Sequence, residues 1–140
     1  MIFFTNQNTH FKFNKKRQTR LAISKLLDME NFQTGEVSVV FCTDEFLQEI
    51  NSKYLNHDTL TDVITFNYNE GRRISGEAFI SVERVAENAA EYKTSFDEEL
   101  DRVIYHAILH LCGYDDKTPE DEQIMRTKED YYLKYLNQND

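Results

Sequence analysis

The chain has 140 residues, 40% of them hydrophobic and 13% aromatic, with four glycines, a single proline and a net charge of −9. That length and apolar content fit one domain with one core, and exclude a linker-rich array or a disulfide-built miniature. The acidic balance argues against indiscriminate nucleic-acid affinity, because phosphate contacts need lysine and arginine.

The opening residues Met1 to Thr5 lack a basic leader and a long apolar stretch, and no apolar run approaches the ~20 residues that span a bilayer. Cys42 and Cys112 lie in apolar surroundings without C-x-x-C pairing. The expectation is a soluble protein of a reducing cytoplasm, without membrane contact. A short strand over Ile2–Thr5 precedes a helix over about Lys15–Met29, with Leu21, Ile23, Leu26 and Leu27 as its apolar side. Residues 1–35 carry six basic and two acidic side chains, against ten and 23 in the remainder. The cluster Lys15, Lys16, Arg17 and Arg20 can therefore follow a polyanion backbone while the rest of the chain repels wrong docking, although a solvated helix face has the same pattern.

Glu36–Thr43 is rich in β-branched residues and reads as a strand, after which Asp44 is expected to cap a helix through Phe46, Leu47 and Ile50. Asp62–Tyr68 and Glu77–Ser81 read as a hairpin, with Gly71 and Gly76 in the turn. From Ser81, Val82, Val85, Ala86, Ala89 and Ala90 repeat with helical spacing. A further helix runs from about Asp97 to Cys112, acidic in its first turn and stopped by Gly113. Thr118 and Pro119 start a last helix that continues to about Leu136. This order predicts a single small α+β domain, a mixed sheet of about four strands packed with about five helices.

The segment from His106 to Asp116 carries the chemistry. Histidines four apart stand one turn above each other, so His106 and His110 can reach one cation from the edge of the arc formed by Leu100, Val103, Ile104, Ala107, Ile108 and Leu111. Gly113 lets the chain turn so that Asp115 or Asp116 approaches the same ion, and three protein ligands leave a fourth position for water. Such a pair also arises on ordinary helices, where both histidines are simply packed.

The segment resembles the YbeY family of bacterial ribosomal RNA maturation factors, marked by H-G-x-L-H-L-x-G-Y-D-H. His106, Leu109, His110, Leu111, Gly113, Tyr114 and Asp115 match it. Ile50, Asn51 and Tyr54 match L-N-x-x-Y-R, the run Thr61 to Phe66 matches T-[DN]-V-L-S-F, and Gly76-Glu77 stands where the family has G-D. The resemblance implies an α+β domain with one metal ion per chain, usually taken as Zn2+ with other divalent transition ions possible. It also implies endoribonuclease activity on single-stranded RNA in processing of the 16S rRNA 3′ end and in ribosome quality control. The implied partners are ribosomal RNA and the small ribosomal subunit or its proteins.

Three departures matter. The third metal histidine falls on Asp116, the arginine after Tyr54 is Leu55, and the glycine after the first histidine is Ala107. The implied ligands are thus His106, His110 and Asp116, with Asp115 beside them in the catalytic group. A carboxylate in place of an imidazole leaves the ion less electrophilic and more tolerant of harder metals such as manganese. Arg72, Arg73 or the basic N-terminal cluster is expected to take the phosphate contact that Leu55 cannot make, with His57 a further candidate. The expected reaction is metal-assisted phosphodiester hydrolysis, with the general base left open between Glu77 and Asp115. Alanine at 107 excludes the H-E-x-x-H zinc proteases. The alternative function is a non-catalytic ribosome-assembly factor whose metal locks the loop after Gly113.

Overall fold

In the segment Val37 to Phe41, apolar side chains point alternately to the two faces of a strand, so both faces must be covered. The computed structural model describes residues 1–55 and 61–137. It has β1 (Ile2–Asn6), α1 (Lys16–Met29), β2 (Gln33–Cys42), α2 (Asp44–Leu55), β3 (Val63–Asn67), β4 (Arg73–Ser81), α3 (Val82–Glu91), α4 (Phe96–Leu111) and α5 (Pro119–Leu136). The sheet order is β1-β2-β4-β3: β1 with β2 and β2 with β4 are parallel, and β3 pairs antiparallel with β4, Val63 opposite Ile80 and Asn67 opposite Gly76. The α+β reading with four strands and five helices is correct. Among the described residues no helix is long and apolar enough to cross a membrane.

The pleat sorts the core into two layers. Val37, Val39, Phe41, Ile74 and Ile80 face the main cluster with Ile23, Leu26 and Leu27 of α1 and Leu100, Ile104 and Ile108 of α4. Cys42, Ile64, Phe66 and Phe79 face Phe46, Leu47 and Ile50 of α2. Helix α4 is buried almost all round, its Tyr105 and Leu109 joining the predicted apolar arc. Both cysteines are free thiols, and burial first, then nearby carboxylates, pushes each up to about 12.

Four local expectations need correction. Leu21 is 58% exposed, because it stands two residues from Ile23 and so points away from the stripe that Thr19, Ala22, Ile23, Leu26 and Leu27 bury. The cap of α2 is Thr43, whose Oγ1 accepts from the Phe46 amide, while the carboxylate of Asp44 accepts from Ser81 Oγ and Arg84 Nη2. Gly76 lies inside β4 rather than in the turn: an added Cβ would sit 2.4 Å from the Phe66 carbonyl oxygen. The turn uses Gly71, at φ +58°. In α3 only Val85 and Ala89 are buried; Ala86 and Ala90 face outward. His57 lies outside the described residues.

Serine and threonine start the helices that carry the site. Ser95 Oγ accepts from the Glu98 amide at the start of α4, and Thr118 Oγ1 from the Asp121 amide at the start of α5, each satisfying a free first-turn donor. At the end of α4, Gly113 adopts φ +109°, its amide donates to His110 O at 3.0 Å, and the Tyr114 amide donates to Leu109 O at 3.1 Å. This is a Schellman closure, and it reverses the chain towards the histidine face. The Leu111 carbonyl left at the helix end accepts from Asn69 Nδ2 at 2.8 Å, which ties the β3–β4 hairpin to the same turn.

Candidate metal centre

His106 and His110 stand one turn apart on α4, ring centroids 6.3 Å from each other. The turn at Gly113 brings the next two carboxylates to them. Ligand atoms of His110, Asp115 and Asp116 all lie within 4.8 Å of one another. Asp116 is the shared member: its Oδ2 is also 3.4 Å from His106 Nε2. Asp115 turns one oxygen back to the loop, Oδ1 accepting from the Asp116 amide at 2.9 Å.

His106 is held from behind. Its Nδ1 lies 2.7 Å from Glu129 Oε2, and the Glu129 side chain is only 7% exposed. With the carboxylate accepting at Nδ1, the other ring nitrogen is directed to Asp116, the arrangement that carboxylate–histidine pairs give metal-binding imidazoles. Arg102 Nη1 donates to Glu129 Oε1 at 3.0 Å and its Nη2 to Asp130 at 2.8 Å, which neutralises the buried carboxylate. Burial alone would lower the His106 pKa, but the Glu129 hydrogen bond and charge, then Asp62 and Asp116, raise it above the ordinary imidazole value. A cleft of about 310 Å³ opens beside His106, with Asp62, Glu99, Arg102, Asp116 and Glu129 among its walls. Burial raises both Asp62 and Glu99 above the usual carboxylate range.

These donors fit a divalent ion. One imidazole has its rear nitrogen occupied by a buried acceptor and its front nitrogen at ligand–ligand distance from a carboxylate, and a second imidazole and carboxylate stand within reach.

The loop bearing Asp115 and Asp116 has its own anchor. Tyr114 Oη donates to Glu30 Oε1 at 2.7 Å, while Lys128 Nζ, at 3.0 Å, and Tyr132 Oη meet Glu30 Oε2. One buried carboxylate just beyond α1 thus joins the loop of Asp115 and Asp116 to α5.

The other expected residues are scattered. Lys15 pairs with the buried Asp101 at 3.0 Å, Arg20 Nε donates to Ile2 O and its guanidinium lies over Phe4, and Arg72 Nε donates to Asn31 O with its guanidinium 4.4 Å from the Phe32 ring centroid. Lys16, Arg17 and Arg73 are exposed. Glu77 accepts from Tyr68 Oη at 2.9 Å and does not line the His106 cleft. Sequence reading missed Glu129, Arg102 and Glu30. The signal for Glu129 was present: it sits in register with Met125 and Tyr132, the buried stripe of α5, where a charged residue needs a partner.

Comparison with known proteins gives one answer. The family model described as Endoribonuclease YbeY matches residues 3–137. A relative from Flavobacterium johnsoniae, named Endoribonuclease YbeY, is 48% identical over 93% of this chain and 93% of its own length. One of the same name from Phocaeicola vulgatus is 40% identical over 98% of this chain and 99% of its own. A solution structure of a Thermotoga maritima protein superposes with a TM-score of 0.65 at 25% identity, over 97% of this chain and 89% of that one.

Proposed function

Because this chain belongs to the endoribonuclease YbeY family, we propose that it is a metal-dependent endoribonuclease that hydrolyses phosphodiester bonds of ribosomal RNA. Its substrate is a single-stranded segment at the 3′ end of 16S rRNA, met on the small ribosomal subunit in the cytoplasm. The whole chain acts as one metal-dependent hydrolase domain. The observation that carries this reading is the approach of Asp116 to both histidines, with His106 backed by the buried Glu129.

His106, His110 and Asp116 hold the ion, one Zn2+ per chain, and Asp115 shapes the loop through its bond to the Asp116 amide. A bound zinc ion supplies Lewis acidity for water attack and offsets charge on the phosphoryl oxygens. Glu129 holds the proton of His106 Nδ1, so the nitrogen that faces Asp116 is free to ligate. Asp62 and Glu99 line the adjoining cleft, so the phosphate contacts come from basic residues outside it: Lys15, Lys16, Arg17 and Arg20 at the start of α1, or Arg72 and Arg73 at the start of β4.

Elemental analysis after reconstitution should find about one divalent ion per chain, as expected for one set of three protein ligands. Asp116→Ala should lose it, and Asp116→His should keep it and shift the pH profile of RNA cleavage to lower pH, since a neutral ligand leaves the ion more electrophilic. Metal affinity intact in Asp116→Ala would show that Asp115 or water completes the site. A wild-type protein that binds metal but leaves structured RNA uncut would favour the assembly-factor role.

A further inference from the structure

A second cleft lies where the parallel strands β1 and β2 end. Phe4 of β1 and Phe41 of β2 form its floor, and the segment 7–15 folds back over them. Phe11 and Phe13 then stand 4.9 Å and 5.0 Å from the Phe41 ring centroid, and Phe13 stands 5.1 Å from Phe4. Asn6 Nδ2 pins the segment by donating to the Phe11 carbonyl at 2.8 Å. The cleft has a volume of about 330 Å³, and Lys12, Asn14 and Lys16 also line it.

Its chemistry is mixed in a way that a core extension does not require. Phe11 and Phe13 are only half-buried, although each packs on fully buried rings. Lys12, Asn14 and Lys16 are exposed, and among the described residues they make no hydrogen bond or ion pair. A chain of net charge −9 thus keeps uncommitted cations at an aromatic cleft. A ring surface beside a free ammonium matches a nucleotide, whose base stacks and whose phosphate pairs with lysine. The volume suits one base rather than a folded ligand.

We propose that this cleft is an accessory site for one unpaired nucleotide, with its base against Phe11 and Phe13 and its phosphate towards Lys12 and Lys16. The inference rests on the reading that the substrate is RNA and adds a second contact point to it. The placement is suitable. Because β1, β2 and β4 are parallel and β3 is antiparallel to β4, the ends of β1 and β2 lie at the same end of the sheet as the start of β3, with β1 and β3 as its outer strands. Asp62, just before β3, lines the His106 cleft at that end. Phe96 touches Phe11 at 5.7 Å and shares α4 with His106, ten residues and about 15 Å further along the helix. A single strand can therefore engage both clefts.

The test is fluorescence anisotropy of labelled single-stranded hexauridylate with the full chain in EDTA, where no metal is bound and nothing is cleaved. Phe13→Leu keeps apolar bulk and removes the ring, and should weaken binding about five- to tenfold. The double variant Lys12→Glu/Lys16→Glu, both at exposed positions, should also weaken it and reduce the log–log salt slope by about 0.7, the value of one phosphate contact on a single strand. No binding by the wild type, or wild-type affinity in both variants, would overturn the site. Weakening by the lysine pair alone would also overturn it, in favour of a phosphate surface without base stacking. Failure of the wild type to cut RNA with metal present would instead sink the endoribonuclease reading, and leaves the EDTA result standing.

Discussion

Glu129 shows how a residue remote in sequence sets the chemistry of a local motif. The histidines and aspartates were legible because they lie within eleven consecutive residues and one helix turn brings the imidazoles together. Glu129 approaches from another helix, and only tertiary packing reveals that it meets Nδ1. Substituting Glu129→Gln should weaken metal affinity roughly 10- to 100-fold, as loss of such orienting partners does, measured by competition with a chromogenic chelator. The pH dependence has a defined sign. A raised His106 pKa keeps the imidazole protonated to higher pH in the metal-free protein, and metal must displace that proton. Affinity should therefore climb as pH rises through that pKa, and Glu129→Gln should move the climb to lower pH. A mutant with unchanged affinity and unchanged pH profile would show that His106 is not oriented by Glu129.

At the level of elements, the backbone of β3 and the end of α4 approach β4 so closely that only glycine fits at position 76. A Cβ there would meet the Phe66 carbonyl at 2.4 Å and Leu111 Cδ2 at 3.0 Å. The carbonyl is backbone and cannot rotate away, so Gly76→Ala should cost about 1–3 kcal/mol by overpacking. Because Leu111 closes the helix that bears both histidines, the variant should also loosen metal binding; equilibrium urea unfolding and chelator competition together check this. Gly76 illustrates the limit of local reading: glycine between two strand-like runs suggests a turn, and its true role depends on the Phe66 carbonyl of the paired strand and on Leu111, more than thirty residues later. The cap of α2 failed for a similar reason. Thr43 and Asp44 are both good N-cap types, and the choice was made by Ser81 at the end of β4 and Arg84 of α3, which claim the Asp44 carboxylate. Periodicity served best where one face meets one layer. Helix α4, buried on nearly all sides, still showed its histidines because they border the apolar arc.

Across the whole molecule, Glu30 joins the segment after α1 to the loop of Asp115 and Asp116 and to α5. Burial would raise its carboxyl, yet hydrogen bonds from Tyr132, Tyr114 and Lys128 hold it below its ordinary value of 4.5. A depressed folded pKa means that its contribution is complete above the unfolded value and is lost as pH falls below about 4.5 towards the folded value. Glu30→Gln should thus cost roughly 1.5–3 kcal/mol at pH 7, the range for hydrogen bonds to a charged group, and the gap to wild type should narrow as pH falls below 4.5. Denaturant unfolding at several pH values measures this, and a gap independent of pH would refute the assignment. The same connections also fix an order in time. A growing chain emerges from its N-terminus, so His106, His110, Asp115 and Asp116 are all made before Lys128, Glu129 and Tyr132, which orient the histidine and anchor the loop. Until α5 is made, these four side chains stand without those supports.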